Sequence, residues 1–445
     1  MNVEDAVTIV RRVKRGVVRY IPEPILLAYH FALAVAALAL YRNPSRHLVV
    51  IGVTGTKGKT TTAAFIHAAL TAAGEKVGLF STVEMRIGDK VAVNTRHMTL
   101  PGRGYVQRYL RAMVQEGCTY AVIETPSEAI RHFRVLGVQY DSVVFTNLSP
   151  EHLVTHKTFE RYRAVKGVLF RNHARSRQKV LNGRLVKRFV LINADDGNAD
   201  YFSNLSGSSL SEQILFGFSK KAAVALQSGD GGSFSVDGSE YTTPFPGTIA
   251  AYNAAPAVIL AQRYCSASPK DLRQALSSVV LRGRLEPMTV ADSQPFRVYC
   301  DYAHEPLSIK SVCTTLRPFV SDGGRLILLT GAVGGSRWKY NAEEIGETAG
   351  RYADVVVISN NDPYFDDPSD IATAVVRGLK KVGKATWHEK LDRRAGIAYA
   401  LSQAKKGDVV VIAGKGAETT YEVNGESRHW DERAIIREEL KKVLV

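Results

Sequence analysis

The segment LVVIGVTGTKGKTT, residues 48–61, joins an uncharged, β-branched run to a glycine-rich turn, and TAAFIHAALTAA follows it directly. A short apolar run bounded by turn residues reads as a buried strand. The alanine-rich run after it reads as a helix from Lys59 to about Ala73. Between them, Gly55 and Gly58 let backbone N–H groups turn toward an anion, and the helix N-terminus adds its dipole. Thr56, Lys57, Gly58, Lys59, Thr60 and Thr61 therefore form a candidate phosphate loop. Lys59 supplies a point charge to terminal phosphates, and the Thr60 hydroxyl is placed to bind Mg²⁺. The spacing between the last two glycines is shorter than in GxxxxGK[ST], so strand and helix on either side carry the reading.

Working outward, residues 47–282 alternate strands and helices. VGLFST, YAVIET, SVVFTN and FVLINA are further β-rich runs, most of them separated by helical stretches. That alternation predicts an α/β fold with a mainly parallel, doubly wound sheet. SGDGGSFSVDGSEYTTPFPG, rich in turn residues, reads as a hairpin excursion. Residues 283–445 repeat the pattern as a second, Rossmann-like α/β domain. FRVYCDYAH, RLILLTGAV, DVVVISNND and DVVVIAGKG are strands that end in polar or glycine-rich loops. Ligands gather at such strand ends in open α/β sheets. Residues 1–46 form a third block: Arg11, Arg12, Lys14, Arg15 and Arg19, then Pro22 and Pro24, then the apolar run ILLAYHFALAVAALALY.

A chain of 445 residues with 45% hydrophobic and 23% charged content is long enough for two or three folded domains. Its net charge of +15 favours anionic partners without choosing among them. The four cysteines, Cys118, Cys265, Cys300 and Cys313, form no C-x-x-C pair and lie in apolar stretches. They read as buried free thiols in a reducing, cytoplasmic compartment. The N-terminus lacks the pattern of a secretory signal. The basic run RNHARSRQKVLNGRLVKR, residues 171–188, has no interleaved aromatic platform, so it reads as a solvated face rather than a nucleic-acid site.

TGTKGKTT resembles the phosphate loop of the Mur ligase family, T-G-T-N-G-K-T-T. The resemblance continues in order through IETPSEAI, VVFTNLSPEHLVTHKTFERYRAVK, NADD, GTIAAYNAA, GRLEPM, DYAHEP, GAVGGSRWK, NDPYFDDP and AGKGAE. It is closest to the subgroup that adds the third amino acid to UDP-N-acetylmuramoyl dipeptide. The resemblance implies an ADP-forming ligase of cell-wall precursor synthesis, with ATP and two Mg²⁺ ions. A muramyl-peptide-like carboxylate becomes an acyl phosphate, and an amino acid's amine then displaces the phosphate. Such a cycle favours a hinge near 281–286, because the site must exclude water. A monomer is expected.

The resemblance also assigns roles. Glu124 and His152 would hold the second Mg²⁺. Lys166 stands where relatives carry a lysine carbamylated by CO₂, an anion that orients metal or substrate. Asn147 and Asn253 match nucleotide contacts, Asn253 at the adenine edge, while Asn193, Asp195 and Asp196 read equally as an ordinary turn. Arg284 and Asp301 match second-domain residues that close on ATP, and His304 and Lys339 are candidates to approach its phosphates. Thr99, Asn361, Asp362, Tyr364, Gly414 and Glu418 fall to the substrates.

Four positions depart from the family pattern. Glu128 replaces a histidine, Glu151 an aspartate, Tyr364 the arginine of D-N-P-R, and Ala417 the histidine of A-G-K-G-H-E. The first two leave the ATP chemistry in place. The last two bear on which amino acid is added, since tyrosine cannot clamp a carboxylate bidentately as arginine does. Other readings of the chain are a folylpolyglutamate-synthase-like ligase, a membrane-associated P-loop NTPase that is no ligase, and a silent membrane scaffold. Fewer than 50 residues precede the strand that leads into the phosphate loop, which suggests that UDP is gripped differently here. The 1–46 block reads as a helix packed on the central domain, as a peripheral membrane anchor through its arginines, or as a span at the lower length limit.

Overall fold

Every residue of the first strand, Val49–Thr54, is buried. A parallel strand covered on both faces needs apolar side chains in succession, and this one has them. The structure, a computed structural model, describes residues 22–94, 98–102, 104–150, 153–229, 232–245, 247–335 and 337–444. These fall into two compact units. Unit 1 holds the described residues up to Gln227, with Ser235–Tyr241 and Tyr252–Leu276; unit 2 holds Ser228–Phe234, Thr242–Ala251 and the described residues from Ser277 onward.

In unit 1, α1 (Glu23–Leu40) leads to β1 (Val49–Thr54), α2 (Lys59–Ala72), β2 (Val77–Phe80), β3 (Glu84–Ile87), β4 (Lys90–Val93) and α3 (Tyr105–Gln115). Then come β5 (Tyr120–Glu124), α4 (Ser127–Arg131), β6 (Ser142–Phe145), α5 (Leu153–His156), α6 (Phe159–Arg175), a small ribbon β7 (Val180–Leu181) and β8 (Arg184–Leu185), β9 (Phe189–Asn193) and α7 (Ala199–Leu205). The turn-rich region, parts of which fall to unit 2, supplies β10 (Glu212–Gly217), β11 (Val224–Ser228), β12 (Ser233–Val236) and β13 (Ser239–Thr242), before α8 (Thr248–Cys265) and α9 (Pro269–Ser277). The sheet order is β13-β12-β11-β10-β9-β6-β1-β5-β2-β3-β4. From β2 to β11 neighbouring strands pair in parallel; β3 and β4 turn back antiparallel at one edge. After β1 the chain fills β2 and β5 on one side and then crosses to β6 on the other. That switch point opens a crevice beyond the carboxyl end of β1, where the glycine-rich turn lies.

A buried ion pair pins the opposite, amino end of these strands. Lys179 Nζ donates to Asp141 Oδ2 at 2.6 Å, to the Leu48 carbonyl at 2.9 Å and to the Gln139 carbonyl at 2.7 Å. Asp141 Oδ2 also accepts from Val50 N at 2.8 Å. Burial pushes the Asp141 pKa up and the Lys179 pKa down, each against the pull of its partner. Two imidazoles are buried in the same unit. Desolvation holds His67, on α2, at a pKa of about 4. It does the same to His173, on α6, also about 4, although Nε2 donates to the Asp141 carbonyl at 3.1 Å.

Unit 2 carries β14 (Glu286–Pro287), β15 (Arg297–Asp301), α10 (Pro306–Leu316), β16 (Leu326–Thr330), α11 (Trp338–Tyr352), β17 (Val355–Ile358) and α12 (Pro368–Val382). It continues with β18 (Thr386–Glu389), α13 (Arg393–Ser402), β19 (Val409–Ala413), the ribbon β20 (Thr420–Val423) and β21 (Glu426–His429), and α14 (Glu432–Val443). The order is β14-β15-β19-β16-β17-β18, parallel from β15 to β18, so β19 is inserted between β15 and β16. Helices cover both faces: Ile309, Ile345 and Val375 pack on one, Ile397, Leu401, Ile436 and Leu440 on the other. A fully buried Arg393 binds the Glu432 carboxylate, with Nε to Oε2 at 2.8 Å, and donates to the carbonyls of Ala413 at 2.9 Å and Asn360 at 3.0 Å.

Candidate functional site

The phosphate loop is held by its backbone. Gly58 caps α2 in the left-handed region, φ 80°, and no side chain caps the helix. The first-turn N–H groups of α2 therefore face the crevice as an anion site. A Cβ on Gly58 would meet Asn253 Oδ1 at 2.2 Å, and one on Gly55 would meet Thr146 Oγ1 at 1.9 Å. Only glycine fits either place. Asn147 clasps the loop from the end of β6: its carbonyl accepts from Thr56 N at 2.9 Å, its Oδ1 from Lys57 N at 2.9 Å, and its Nδ2 donates to the Lys57 carbonyl at 3.1 Å. Asn253 accepts from Thr62 Oγ1 at 3.4 Å. Both asparagines thus position the loop. Lys59 Nζ donates to the Thr56 carbonyl at 2.9 Å, and Thr61 is half-buried on the first turn of α2.

Glu124 ends β5 and is buried beside the loop. Its Oε2 accepts from Thr60 Oγ1 at 3.0 Å and from Thr82 N and Oγ1, both at 2.9 Å. Thr82 Oγ1 in turn lies 2.7 Å from Thr99 Oγ1, so the predicted substrate residue Thr99 joins the same network. His152 lies outside the described residues, as does Glu151. Among the described residues no cluster of three or more His, Cys, Asp or Glu could hold a metal. One carboxylate and one hydroxyl nevertheless suit Mg²⁺, which keeps several waters and completes its shell with phosphate oxygens.

Lys166 is buried on α6. Its Nζ donates to the Gly55 carbonyl at 2.8 Å and stands 4.6 Å from the centre of the Tyr162 ring. Tyr162 OH lies 3.2 Å from Thr56 Oγ1. One face of α6 therefore supports the phosphate loop at two points. The turn after β9 has mixed duties. Asn193 Nδ2 donates to the Thr146 carbonyl at 2.8 Å, and Asp196 Oδ2 accepts from Leu148 N at 2.7 Å. Asp195 accepts from Tyr252 OH at 2.6 Å.

In unit 2 most functional candidates stand at the ends of β15, β17 and β19 or in the loops after them, at the carboxyl end of a parallel sheet; Arg284 precedes β14 and Lys339 opens α11. Asp301 is buried and accepts from Leu285 N at 2.7 Å and Ala303 N at 2.8 Å. Desolvation raises its pKa against the pull of Arg284. The Arg284 guanidinium lies 4.6 Å from the Tyr302 ring. His304 Nδ1 donates to the Tyr302 carbonyl at 2.8 Å, and burial lowers its pKa. Lys339, exposed at the start of α11, rests over the Trp338 ring at 5.8 Å.

Two of the remaining substrate candidates, Asp362 and Glu418, meet on one lysine. Lys415 is fully buried and bridges Asp362 Oδ2 and Glu418 Oε2, both at 2.7 Å. Glu418 Oε1 accepts from Tyr302 OH at 3.1 Å, and Asp362 Oδ1 accepts from Glu422 N at 2.9 Å. Asn361 is buried with no partner for Nδ2 among the described residues, and a Cβ on Gly414 would come within 2.7 Å of that atom. Asp362 and Tyr364 both sit at positive φ, 50° and 56°, a conformation that costs a non-glycine residue on the order of 1 kcal/mol or more and that marks ligand loops. Gly283 is fixed from the same side: a Cβ there would meet Ala417 N at 2.2 Å.

Residues 53–261 match the Mur ligase middle domain, and residues 283–416 match the Mur ligase glutamate ligase domain. The UDP-N-acetylmuramoyl-L-alanyl-D-glutamate–2,6-diaminopimelate ligase of Caldanaerobacter subterraneus subsp. tengcongensis is 35% identical, over 92% of this chain and 81% of its own. The chain belongs to the Mur ligase family. A solved 2,6-diaminopimelate ligase of the same description superposes at a TM-score of 0.62 with 25% identity, over 89% of this chain and 78% of that one. The Mycobacterium tuberculosis folylpolyglutamate synthase complexed with ADP and AMPPCP reaches 0.64 at 17% identity, over 86% and 92%, and shares the fold. As a Mur ligase the chain is an ATP-dependent, ADP-forming ligase.

Three residues of this Mur ligase site escaped the sequence reading. Tyr162 stands one helical turn before Lys166, so its place on the same face was open to inference. Lys415 lies inside AGKGAE, between Gly414 and Glu418. Thr82, past the end of β2, carries no local signal; only the fold brings it to Glu124.

Proposed function

We propose that this Mur ligase joins an amino acid to a muramyl-peptide-like carboxylate in peptidoglycan precursor synthesis. The observation that carries the reading is the Thr60–Glu124 pair beside Lys59, at the N-terminus of a helix that no side chain caps. That donor set serves a Mg²⁺-bound triphosphate, and the 35% identity to a diaminopimelate-adding enzyme supports the choice of acceptor. The second reading, folylpolyglutamate synthesis, has only the shared fold behind it.

The loop amides and Lys59 orient the triphosphate, and Thr60 with Glu124 would hold the cation. Mg²⁺ supplies charge neutralisation when bound. The acceptor carboxylate attacks the γ-phosphorus; the bond to the β-phosphate oxygen breaks, giving ADP and an acyl phosphate. An amine then attacks the acyl carbon, inorganic phosphate leaves, and an amide remains. Positioning carries most of such a reaction.

Three finer assignments belong to the same proposal. Lys166 acts as a carbamate: its nitrogen would keep one N–H for the Gly55 carbonyl, while the added carboxylate faces cation or substrate. The enzyme works as a monomer in the cytoplasm, a reducing compartment that the free thiols fit. It touches the membrane peripherally through its N-terminal segment, for which the exposed apolar α1 speaks.

The incoming amino acid is a diamino acid, with Glu418 as partner for an ammonium. The test is ADP release with UDP-muramoyl dipeptide against a panel of amino acids. Diaminopimelate or lysine should be preferred, and Tyr364→Arg and Glu418→Gln should alter that ranking more than the apparent affinity for ATP. No amino-acid-dependent ADP release with any muramyl acceptor would refute the reading.

A further inference from the structure

Helix α1 has two unlike sides. One side packs on unit 1: the Phe31 ring meets Phe133 edge-on at 5.4 Å, His30 meets His132 at 5.1 Å, Ala37 is buried, and Glu23 pairs with Arg131. The other side presents Ile25, Tyr29, Ala32, Val35, Ala36 and Leu40, all exposed at helical spacing and none of them polar apart from the tyrosine hydroxyl. A helix on a water-facing surface normally turns charge outward. This helix is also long and apolar enough to cross a membrane by length and composition. With one side committed to protein, it can lie in the plane of an interface but cannot be surrounded by lipid.

Cations stand at both ends of the apolar face. Arg42 and Arg46 are exposed beyond its C-terminus. At the N-terminus a cavity of about 360 Å³ opens between α1, α4 and α6, lined by Arg131, Lys157, Arg161 and Arg171 and floored by Val165 and Val168. Among the described residues Glu23 is the one carboxylate on its wall, and Arg131 already engages it. Arg131 is further fixed by donation from Nη1 to the Thr155 carbonyl at 2.9 Å. A concave site with four cations and one engaged anion has a surplus of positive charge suited to phosphate.

We propose that this cavity seats the phosphate of an anionic lipid headgroup while the outer face of α1 lies in the bilayer, so that unit 1 docks flat on an acidic membrane. The inference rests on the membrane contact read above for α1 and assigns it a headgroup site. Docking also has a bearing on the ligase site. Helix α6 carries Arg161, Val165 and Val168 on the cavity side and Tyr162 and Lys166 on the phosphate-loop side, so the reaction is held one helix width from the lipid surface.

The test is sedimentation of the full chain with phosphatidylcholine vesicles, with and without phosphatidylglycerol, for the parent, Arg161→Ala/Arg171→Ala and Val35→Glu, each checked for folding by circular dichroism. The parent should bind the acidic vesicles on the order of tenfold more tightly than the neutral ones. The double variant should lose that increment and keep the neutral binding. Val35→Glu should weaken both. If the double variant keeps the full increment, the headgroup site is wrong although the membrane contact stands. If the parent binds neither vesicle, both fall. If soluble diphosphate binds the parent without vesicles, through Arg161 and Arg171, and displaces it from acidic ones, the cavity takes a free anion and the lipid source is refuted.

Discussion

At the scale of single residues, the charges around the phosphate loop serve ligands rather than the fold. Lys59 is half-buried at the mouth of the crevice, so Lys59→Ala should leave the circular dichroism spectrum and melting temperature near those of the parent. ADP formation should fall about a hundredfold or more, the scale of losing one preorganised charge at a phosphoryl-transfer site. Lys166 differs because it is buried against the loop. Lys166→Ala should be nearly inactive, and short carboxylic acids such as acetate should restore part of the rate by filling the vacated space. Rescue by carboxylates but not by alkylamines would identify the working group as an anion; rescue by amines alone would make Lys166 a plain cation. His67 and His173 are pH-sensitive in a readable direction. Their folded pKa values, about 4, lie below the ordinary 6.5, so the unfolded chain binds more protons between those values. Their contribution to stability is complete above about pH 6.5 and is lost as pH falls toward 4. Thermal melts should show that decline, and a His67→Gln/His173→Gln variant should show a shallower one.

At the scale of elements, β1 and β6 are joined at their amino ends by the Lys179–Asp141 pair. Lys179→Met should leave a carboxylate buried without its cation and lower stability by about 3 kcal/mol at neutral pH, read from urea unfolding. Adding Asp141→Asn should recover much of that loss. The elements themselves were largely legible. The apolar run before Gly55 became β1, and the helix expected over Lys59 to about Ala73 spans Lys59–Ala72. Periodicity and turn chemistry act over a few residues, which is the range of such signals. What brings Thr82 to Glu124, or Lys179 to Asp141, is sheet order, and sheet order is set by burial over the whole unit. The side of α1 that meets Phe133 and His132 was hidden for the same reason: its composition is apolar all round, so no pattern in the sequence distinguishes the packed face from the exposed one.

At the scale of the whole molecule, the two units differ in what completes them. Unit 1 sets β5 between β1 and β2, runs from β6 outward to β13 in chain order on the other side, and its last segment ends at Leu276. Unit 2 waits longer for its inserted strand. β15 and β16 are formed early in the chain, yet the strand between them is β19, and the counter-ion of the buried Arg393 comes from Glu432 on the final helix.

That order matters while the protein is being made. As the chain leaves the ribosome, unit 1 has all of its strands in hand and can fold as a unit. The strands of unit 2 emerge without the neighbour that belongs between them, and Arg393 emerges without an anion. The second unit must stay open until translation has passed Glu432. A message truncated before that codon would therefore yield a finished phosphate-loop unit attached to a tail with exposed β edges, a natural target for chaperones and proteases.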